Sequence, residues 1–555
     1  MMINRIRRWL RDPRFLLALA AALVAFAVQS GWSGSADTEH RLQSTHSFWT
    51  SEPPVFPEEY PEFGVHGRGG RLESWYGIGQ SLLMLPPDIL GTYVERISLF
   101  ANYNGNDPSV RDIIVSYTTN IFLIVLTALV CFRFLRQLEF TTNHAGVGVL
   151  VLLCATTHLH YTQNMMENNY IFLLTLTGLS YQYEWVRNGN RRALLIGSGA
   201  LGLNLLTRLT TGMDLLAAGF FVLLTLCFEQ RRGRALWERC LTYLKTAVPV
   251  AAFFLILDRL YQYHRFGSFF NTYIGVLARE ARARNPALPA NYPFDKPFHV
   301  GFFGALFSPE KSIFLFDPLL ILMILLAAVL WKRFSPALKA YTIAMGLLLL
   351  AYISFYARYT VWSGDTAWGD RYVSTSVELI ALLAIPLLLR HRAQVPRLIW
   401  VGGIGLLAVS TIVQAASVCF WCPLERYQMV TLGHPTFVVG LRLENVAAFA
   451  LGKMDAWHLT NQAMKADPWD YIHITTWNFL PFLLQRSGEA PEWVVRATLV
   501  VWSMGLVALA VVLWRLRTLG FAIQAGAASR PFVVADSPES HGMKGKAKDE
   551  STPSS

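Results

Sequence analysis

Long apolar runs alternate with shorter polar segments along almost the whole chain. A helix that crosses a bilayer needs about 17–25 mostly apolar residues. Some of the runs reach that length and others fall a few residues short. The pattern therefore predicts an all-α integral membrane protein with about twelve transmembrane helices. The twelve apolar runs are residues 15–28, 113–135, 145–158, 170–185, 193–206, 212–228, 247–261, 313–330, 341–356, 377–389, 398–415 and 497–514.

Basic residues mark one side of the predicted membrane. They follow every second apolar run and also fill the segment before the first one. Lys and Arg accumulate in the cytoplasmic loops of membrane proteins, so both termini are expected in the cytoplasm. The first run, 15–28, is read as a retained span, because the segment after it offers a poor signal-peptide cleavage site. The loop residues that carry the pattern are Arg133, Arg136, Arg187, Arg191, Arg192, Arg231, Arg232, Arg234, Arg239, Lys332, Arg333, Arg390, Arg392, Arg397, Arg515 and Arg517.

Three long segments are expected on the outer side: 29–112, 262–312 and 416–496. In the first, aromatic and leucine residues alternate with Gly and Pro, which is typical of short helices lying in the membrane interface. The predicted organisation is a transmembrane module over residues 1–415, an outer region of unknown role over 416–496, a last span over 497–514 and a cytoplasmic tail over 515–555. The tail is rich in Ser, Pro, Lys and Glu, a composition typical of disorder.

The composition narrows the function classes. Only 15% of the 555 residues are charged and 53% are hydrophobic, whereas soluble proteins carry about 25% charged residues. The net charge of +11 does not indicate nucleic-acid binding, since the basic residues lie mostly between spans. Cys419 and Cys422 form a CxxC, read as a local disulfide or as two small apolar residues. The chain has no nucleotide-binding motif, which argues against an ATP-driven pump.

Acidic residues just outside the spans are the first candidates for chemistry. Asp37, Glu39 and Arg41 crowd together after the first span, where a membrane-level cavity would open. A carboxylate there can accept a proton from a hydroxyl, and a nearby guanidinium keeps it ionised. The plainer reading is a solvated loop. Glu167 lies in an outer connection as well, and capping of the next helix is its plainer reading.

A second candidate group is the segment Trp368, Asp370, Arg371 and Tyr372, outside the ninth apolar run. Aromatic rings stack on sugars, and arginine binds phosphate through two parallel hydrogen bonds. An aromatic belt at the membrane interface would explain part of the same segment.

Two further cations lie at the membrane level. Arg208 stands between two apolar runs with almost nothing separating them, and Lys311 precedes another run. An ionised group near the hydrocarbon region is expensive unless it is paired, so each is a functional candidate. Snorkelling of the side chain to lipid phosphate is the alternative for both.

Several of these segments, taken in order, resemble the bacterial GT-C superfamily of polyprenyl-phosphate-dependent glycosyltransferases. This superfamily includes protein O-mannosyltransferases and lipid A aminoarabinose transferases. The resemblance covers roughly residues 15–390. It departs from the family where Thr38 separates Asp37 from Glu39, and where Met166-Glu167-Asn168 stands in place of a Ser-Glu-Pro found in many relatives. The matching segments are 37–41, 67–83, 206–208, 263–268, 308–318 and 368–372.

The resemblance implies a sugar transfer with inversion on the outer face of the bacterial cytoplasmic membrane. The donor would be a polyprenyl-phosphate sugar and the acceptor a lipid, glycan or protein. Asp37 would be the general base, with Glu39 and Glu167 as further catalytic candidates. Some relatives use a divalent metal near the acid, and the sequence leaves open whether this chain does. The implied substrate-binding residues are Arg41, Arg208, Arg265, Lys311, Trp368, Asp370, Arg371 and Tyr372.

Two alternatives stay open at the sequence level. A transporter or flippase of lipid-linked substrates would show repeat symmetry between its halves and ionisable groups in mid-span. In this chain the charged groups gather at outer helix ends instead, which favours surface chemistry. A non-catalytic envelope assembly protein is the other alternative, and it would tolerate loss of Asp37.

Overall fold

Most of the described residues lie in helices. A computed structural model describes residues 11–100, 108–229, 233–488 and 490–528. The helices, numbered in chain order, are α1 Pro13–Val28, α2 Ala36–His46, α3 Ile78–Glu95, α4 Val110–Gln137, α5 Thr142–Ala155, α6 His158–Gln163, α7 Asn168–Asn188, α8 Arg191–Leu205, α9 Gly212–Phe228, α10 Arg234–Phe266, α11 Tyr273–Arg284, α12 Phe298–Phe307, α13 Ile313–Phe316, α14 Leu319–Leu330, α15 Pro336–Tyr356, α16 Ser374–Ala381, α17 Ala384–Arg390, α18 Arg397–Ser417, α19 Leu424–Leu432, α20 Val438–Ala450, α21 Gln462–Ala466, α22 Pro468–Ile474, α23 Leu480–Ser487 and α24 Glu492–Ala528.

Six helices within the described residues are long and apolar enough to cross a membrane, and the chain is a multi-pass membrane protein. Three shorter apolar helices are α1, α5 and α12. Each of the twelve predicted runs coincides with one helix or with two consecutive ones, so the all-α prediction is confirmed. The number of spans stays a prediction. The six helices are Val110–Gln137, Leu209–Phe228, Arg234–Phe266, Pro336–Tyr356, Arg397–Ser417 and Glu492–Leu519.

The first outer segment differs from its prediction. It contains a two-stranded antiparallel hairpin, β1 Gly64–His66 and β2 Leu72–Ser74. One continuous helix, α3, replaces the expected series of short helices and includes Pro86 and Pro87. Each proline removes one backbone donor, but α3 packs along α4 and continues through both. The outer segment 262–312 also contains an apolar helix, α12, that was not predicted.

The largest apolar core is built from α4, α5, α7, α9 and α14–α17. By contrast, α10 and α24 leave most of their apolar surface uncovered by the rest of the chain. An uncovered apolar surface of that extent fits a protein whose solvent is lipid.

One end of the helix bundle, called the loop end below, gathers the three long segments. The Gln163 side chain donates to the backbone oxygens of Val28, Val418 and Asn478 at 2.7–2.8 Å. The Leu480 N–H donates to the Gln29 oxygen at 3.0 Å. Region 416–496 is therefore tied directly to the ends of α1 and α6. The boundaries proposed for it stay a prediction, and the expected disorder beyond residue 528 lies outside the described residues.

Candidate functional site

Helix α2 begins just after α1 and presents its first acidic residue to the loop end. Ser35 caps it by accepting from the Thr38 N–H at 3.3 Å. An acidic residue in the first turn is favoured by the helix dipole. Asp37 and Arg41 are four residues apart and therefore share one face of α2, whereas Glu39 points to the opposite side.

Asp37 is held by two partners from distant parts of the chain. The Tyr76 hydroxyl donates to its Oδ1 at 2.9 Å, and the Arg371 guanidinium contacts its Oδ2. The Asp37 side chain keeps 22% of its surface exposed. Burial alone would raise the pKa of the Asp37 carboxyl, but the charges of Arg371 and Arg41 outweigh burial and hold that pKa well below its usual range. Asp37 is therefore ionised and accessible.

Glu167 joins the same group from the start of α7. Its Oε2 lies 2.5 Å from Arg41 Nη2, and its Oε1 contacts the Arg208 guanidinium. Burial would raise the pKa of Glu167, but Arg41 and Arg208 lower it to about 2. Glu167 occupies the cap position of α7 without a side-chain capping bond. The capping interpretation is therefore wrong, and Glu167 instead bridges two arginines.

Aromatic rings lie against Arg41, Arg208 and Arg371. The Arg41 guanidinium carbon lies 4.1 Å from the Tyr76 ring centroid. The Tyr372 ring centroid lies 5.3 Å from the guanidinium carbons of both Arg208 and Arg371. Tyr372 stacks on Tyr356 with ring centroids 4.1 Å apart. A guanidinium over an aromatic face is held in orientation while its edge stays available to an anion.

The five charged residues Asp37, Arg41, Glu167, Arg208 and Arg371 are called the arginine cluster below. Three guanidiniums against two carboxylates leave one net positive charge. Arg41 Nη1 and Arg371 Nε are buried and have no hydrogen-bond partner among the described residues. A buried, unpaired cationic donor is costly, so the cluster is suited to accept an anion.

Two predicted substrate-binding cations instead hold backbone behind the cluster. Lys311 Nζ donates to the carbonyl oxygens of Asp365, Ala367 and Gly369 at 2.7, 2.6 and 3.2 Å, which uses all three of its N–H bonds. Burial lowers the pKa of Lys311 to about 8. Lys311 therefore fixes the backbone that leads to Arg371.

Arg265 acts in the same way on the other side of the cluster. It is 1% exposed and its Nη1 donates to the carbonyl oxygens of Ser74 and Tyr76 at 2.6 and 3.2 Å. Its Nη2 donates to Gln262 Oε1 at 2.8 Å. Arg265 therefore fixes the backbone of Tyr76, the residue that donates to Asp37.

Trp368 and Asp370 also lie behind the cluster. Trp368 is 1% exposed and packs edge-on against Phe316, with ring centroids 4.9 Å apart. Such a buried ring has no free face for a sugar. Asp370 accepts the Tyr372 N–H at 3.0 Å, and burial raises its pKa to about 7. Both residues shape the turn that presents Arg371 and Tyr372.

Glu39 lies outside the cluster. Its side chain is exposed and accepts from the Ser33 hydroxyl at 3.1 Å. The acidic neighbours that act on it are Asp112 and Glu59 rather than Asp37. Asp37 and Glu39 lie close together in the sequence but face opposite sides of α2.

A divalent metal does not fit the arginine cluster. Both of its carboxylates already contact guanidiniums, and a cation placed between them would face three positive charges. Within the described ranges, no group of three or more His, Cys, Asp or Glu residues is arranged to hold a metal ion.

Three residues of the site escaped sequence reasoning. Tyr76 donates to Asp37 and Tyr356 stacks on Tyr372. Asn168 Nδ2 donates to the Arg371 carbonyl oxygen at 2.6 Å and to Ser374 Oγ at 2.7 Å. Tyrosines near membrane interfaces are common, so nothing in the pattern distinguished these. Both cysteines of the CxxC are free. Cys422 Sγ donates to the Thr366 carbonyl oxygen at 3.1 Å, so no local disulfide forms.

Comparison with known proteins gives a structural similarity only. No protein-family model and no curated protein matches the chain. The chain is similar to the apo Archaeoglobus fulgidus oligosaccharyltransferase, with 12% identity and a TM-score of 0.41 over 80% of this chain and 60% of that one. It is similar to ArnT from Cupriavidus metallidurans bound to undecaprenyl phosphate, with 14% identity and a TM-score of 0.40 over 92% of this chain and 77% of that one.

A third similar structure is the A. fulgidus oligosaccharyltransferase AglB in complex with an inhibitory peptide and a dolichol-phosphate. Its identity is 12% and its TM-score 0.41, over 80% of this chain and 59% of that one. The chain thus spans about 60% of the length of the oligosaccharyltransferase.

Proposed function

We propose that the chain is a glycosyltransferase that moves a sugar from a polyprenyl-phosphate donor to an acceptor hydroxyl or amine at the loop end of the membrane bundle. The observation that carries the proposal is the arginine cluster. It combines an accessible, ionised carboxylate with three guanidiniums, two of which retain buried donors without partners. Transfer of a sugar from a lipid phosphate requires a general base beside cationic groups that bind the phosphate.

The donor phosphate is proposed to bind to the guanidiniums of the arginine cluster. Arg208 and Arg371 both lie over Tyr372, and among the described residues Arg208 pairs with Glu167 and Arg371 with Asp37. Guanidiniums match phosphate geometry through paired hydrogen bonds. Their charge would stabilise the leaving phosphate, and it would do so without a proton, since a phosphate ester is already a good leaving group.

Asp37 is the proposed base, and its contact with Arg371 sets its strength. A carboxylate whose pKa lies well below the usual range is a weak base. The donor phosphate would compete with Asp37 for the Arg371 guanidinium. Withdrawal of that charge raises the pKa of Asp37, so donor binding would activate the base. The donor is therefore expected to bind before the acceptor is deprotonated.

The chemical step is a single displacement. The acceptor O–H or N–H transfers its proton to Asp37 while the acceptor atom forms a bond to the anomeric carbon. The bond between that carbon and the phosphate oxygen breaks, and its electron pair stays on the phosphate. Attack opposite the leaving group inverts the anomeric configuration. Glu167 holds Arg41 and Arg208 in place and takes no proton, since its pKa of about 2 keeps it ionised.

The reaction class is tested with the purified full chain and a panel of polyprenyl-phosphate sugars. We expect acceptor-dependent release of polyprenyl phosphate from one donor, and a product of opposite anomeric configuration by NMR. The Glu39→Gln variant is the matched control, since Glu39 lies one helix face away from Asp37. A product with retained configuration contradicts the single displacement, and release from no donor with any acceptor contradicts the proposed function.

The loop end is proposed to face outward, with both termini in the cytoplasm. A cysteine introduced as Ser35→Cys, at the cap of α2, is expected to react with a membrane-impermeant thiol reagent added outside intact cells. The wild-type chain measures the background from its own cysteines. If Ser35→Cys is labelled only after the cytoplasmic side is opened, the orientation is the reverse of the one proposed.

A further inference from the structure

The last turn of α15 carries two buried tyrosines that the proposed mechanism does not use. Tyr352 and Tyr356 are 3% and 7% exposed, and they lie four residues apart, so they share one face of the helix. Their rings are nearly parallel, with centroids 6.4 Å apart. The Tyr356 ring stacks in turn on Tyr372, with centroids 4.1 Å apart. The three rings, called the tyrosine stack below, lead from α15 to the arginine cluster.

Two hydroxyl groups of the tyrosine stack attach to the backbone that follows Arg208. The connection between α8 and α9 is not helical at Arg208, whose backbone is extended. The Tyr356 hydroxyl shares a hydrogen bond with Thr210 Oγ1 at 3.1 Å. The Tyr352 hydroxyl donates to Asp214 Oδ2, in the first turn of α9, at 2.6 Å. The last turn of α15 therefore holds this connection and the start of α9 at two points.

Arg208 is thus supported at both ends of its side chain. Glu167 contacts the guanidinium, whereas Tyr356 holds the nearby backbone through Thr210. A binding group that is already held in its bound geometry avoids part of the entropy cost of becoming ordered when the ligand arrives. Because Tyr356 contacts both Thr210 and Tyr372, it is the member of the tyrosine stack that can act on both.

We infer that Tyr356 is a positioning residue for binding of the donor phosphate. Its hydroxyl fixes the connection that carries Arg208. Its ring fixes Tyr372, against which the guanidiniums of Arg208 and Arg371 lie. This inference rests on the proposed function and deepens it, because it assigns part of the phosphate affinity to a residue that acts through other side chains.

Two variants separate the hydroxyl from the ring. Tyr356→Phe removes only the hydroxyl, and Tyr356→Leu removes the ring as well. The matched control is Tyr341→Phe, because Tyr341 is a buried tyrosine of the same helix whose hydroxyl donates to the Leu379 carbonyl oxygen at 2.6 Å. The Tyr341 ring packs in the apolar core against Phe134 and Phe221. Both phenylalanine variants lose one buried hydroxyl from α15, but only Tyr356→Phe loses a contact with the connection between α8 and α9.

The test measures the affinity of a long-chain polyprenyl phosphate for the full chain in phosphatidylcholine nanodiscs, together with the thermal unfolding temperature. Loss of the Thr210 hydrogen bond in Tyr356→Phe is expected to weaken binding about fivefold. Tyr356→Leu should weaken binding about twentyfold, because it also removes the ring that holds Tyr372. Tyr341→Phe should bind as wild type, although it lowers the unfolding temperature.

A double-variant cycle distinguishes positioning from a general loss of stability. In an Arg208→Gln background, Tyr356→Phe should cause no further loss of affinity, because the hydroxyl acts through Arg208. Tyr356→Leu should still weaken binding in that background, because the ring also acts on Arg371 through Tyr372. If Tyr356 only stabilised the fold, the effects of Tyr356→Phe and Arg208→Gln on affinity would simply add.

The remaining outcomes separate this inference from the proposed function. Wild-type affinity in Tyr356→Phe, or a loss that is the same with and without Arg208, overturns the positioning role and leaves the proposed function standing. Equal weakening by Tyr341→Phe overturns it as well, since any hydroxyl lost from α15 would then have the effect. If Tyr356→Leu does not fold, Tyr356→Phe still decides. If the wild-type chain binds no polyprenyl phosphate, the proposed function fails and the inference fails with it.

Discussion

Two groups of arginines and carboxylates lie at the loop end, and they are built differently. In region 416–496, Arg442 is completely buried and pairs with Glu425 at 2.5 and 2.7 Å. Its remaining hydrogen bonds go to backbone oxygens, including those of Ser417 at 2.7 Å and Trp421 at 3.0 Å. Arg442 is saturated and closed to solvent, and it fixes the end of α18.

Three of the five residues in the arginine cluster are partly exposed. Asp37, Arg208 and Arg371 keep 22%, 19% and 14% of their side-chain surfaces exposed, and two guanidinium donors are unpaired. Buried ion pairs alone say little about function, since structural and catalytic pairs use the same chemistry. Access and unused donors are what distinguish the two groups. The arginine cluster should control activity, and the Arg442–Glu425 pair should control folding.

The largest effect is expected from Asp37→Asn. Loss of a general base lowers the rate by about 10²–10⁴-fold, and the protein should still fold because the amide keeps the shape of a side chain that is 22% exposed. Turnover of the donor and the thermal unfolding temperature in detergent are measured together. Glu39→Gln should leave both near wild type. An Asp37→Asn protein that retains full activity moves the base elsewhere, with Glu167 as the remaining acid of the cluster.

Arg442→Gln is expected to act mainly on stability. It leaves the Glu425 carboxylate buried without its partner, which typically costs about 3–5 kcal/mol. Denaturant or thermal unfolding in detergent measures the loss. The double variant Arg442→Met with Glu425→Leu removes both charges and should recover much of it. An Arg442→Gln protein that is inactive but as stable as wild type would contradict the distinction between the two groups.

Arg371→Gln should change both the rate and its pH dependence. Loss of one cationic donor to the leaving phosphate lowers turnover by about 10²-fold. With Arg371 present, the low pKa of Asp37 places the acid limb of the rate profile below the usual carboxylate range. Without it the pKa of Asp37 rises, so activity should be lost at a higher pH as the solution is acidified. If the acid limb does not move, Arg371 does not set the pKa of the catalytic base.

A smaller effect concerns stability in acid. The pKa of Glu167 is about 2 in the folded chain against an ordinary value of 4.5. Between those values the unfolded chain binds more protons, so the stabilising contribution is complete above about pH 4.5 and is lost as the pH falls toward 2. Glu167→Gln should flatten the unfolding profile across this window. A profile of unchanged slope would assign the acid sensitivity to other carboxylates.

The sequence predicted the helices well, because apolar runs report burial in lipid or core directly. It also identified Asp37, Arg41, Arg208 and Arg371, since charges at helix ends near a membrane are rare. It did not separate binding residues from supporting ones. Arg265 and Lys311 look like free cations in the sequence, and only the fold shows that they donate to backbone oxygens.

The ion pairs of the arginine cluster could not be predicted from the sequence, for a physical reason. Asp37 and Arg371 are 334 residues apart, and no local periodicity relates positions on α2 to a turn before α16. The same holds for Glu167, whose position before a helix suggested a cap. Its role as a bridge depends on Arg41 and Arg208 arriving from two other segments.

The most direct measurement is the affinity of long-chain polyprenyl phosphate for the wild-type chain, Arg371→Gln, Arg208→Gln and Arg426→Gln, all shown to be folded. Arg426 is a surface arginine of region 416–496 that pairs with Glu310 at 3.2 Å. If the open cluster holds the donor phosphate, the first two variants bind at least about tenfold more weakly, since each loses a charge-assisted contact, and Arg426→Gln binds as wild type. Equal affinity in all four proteins would show that the arginine cluster is not the phosphate site.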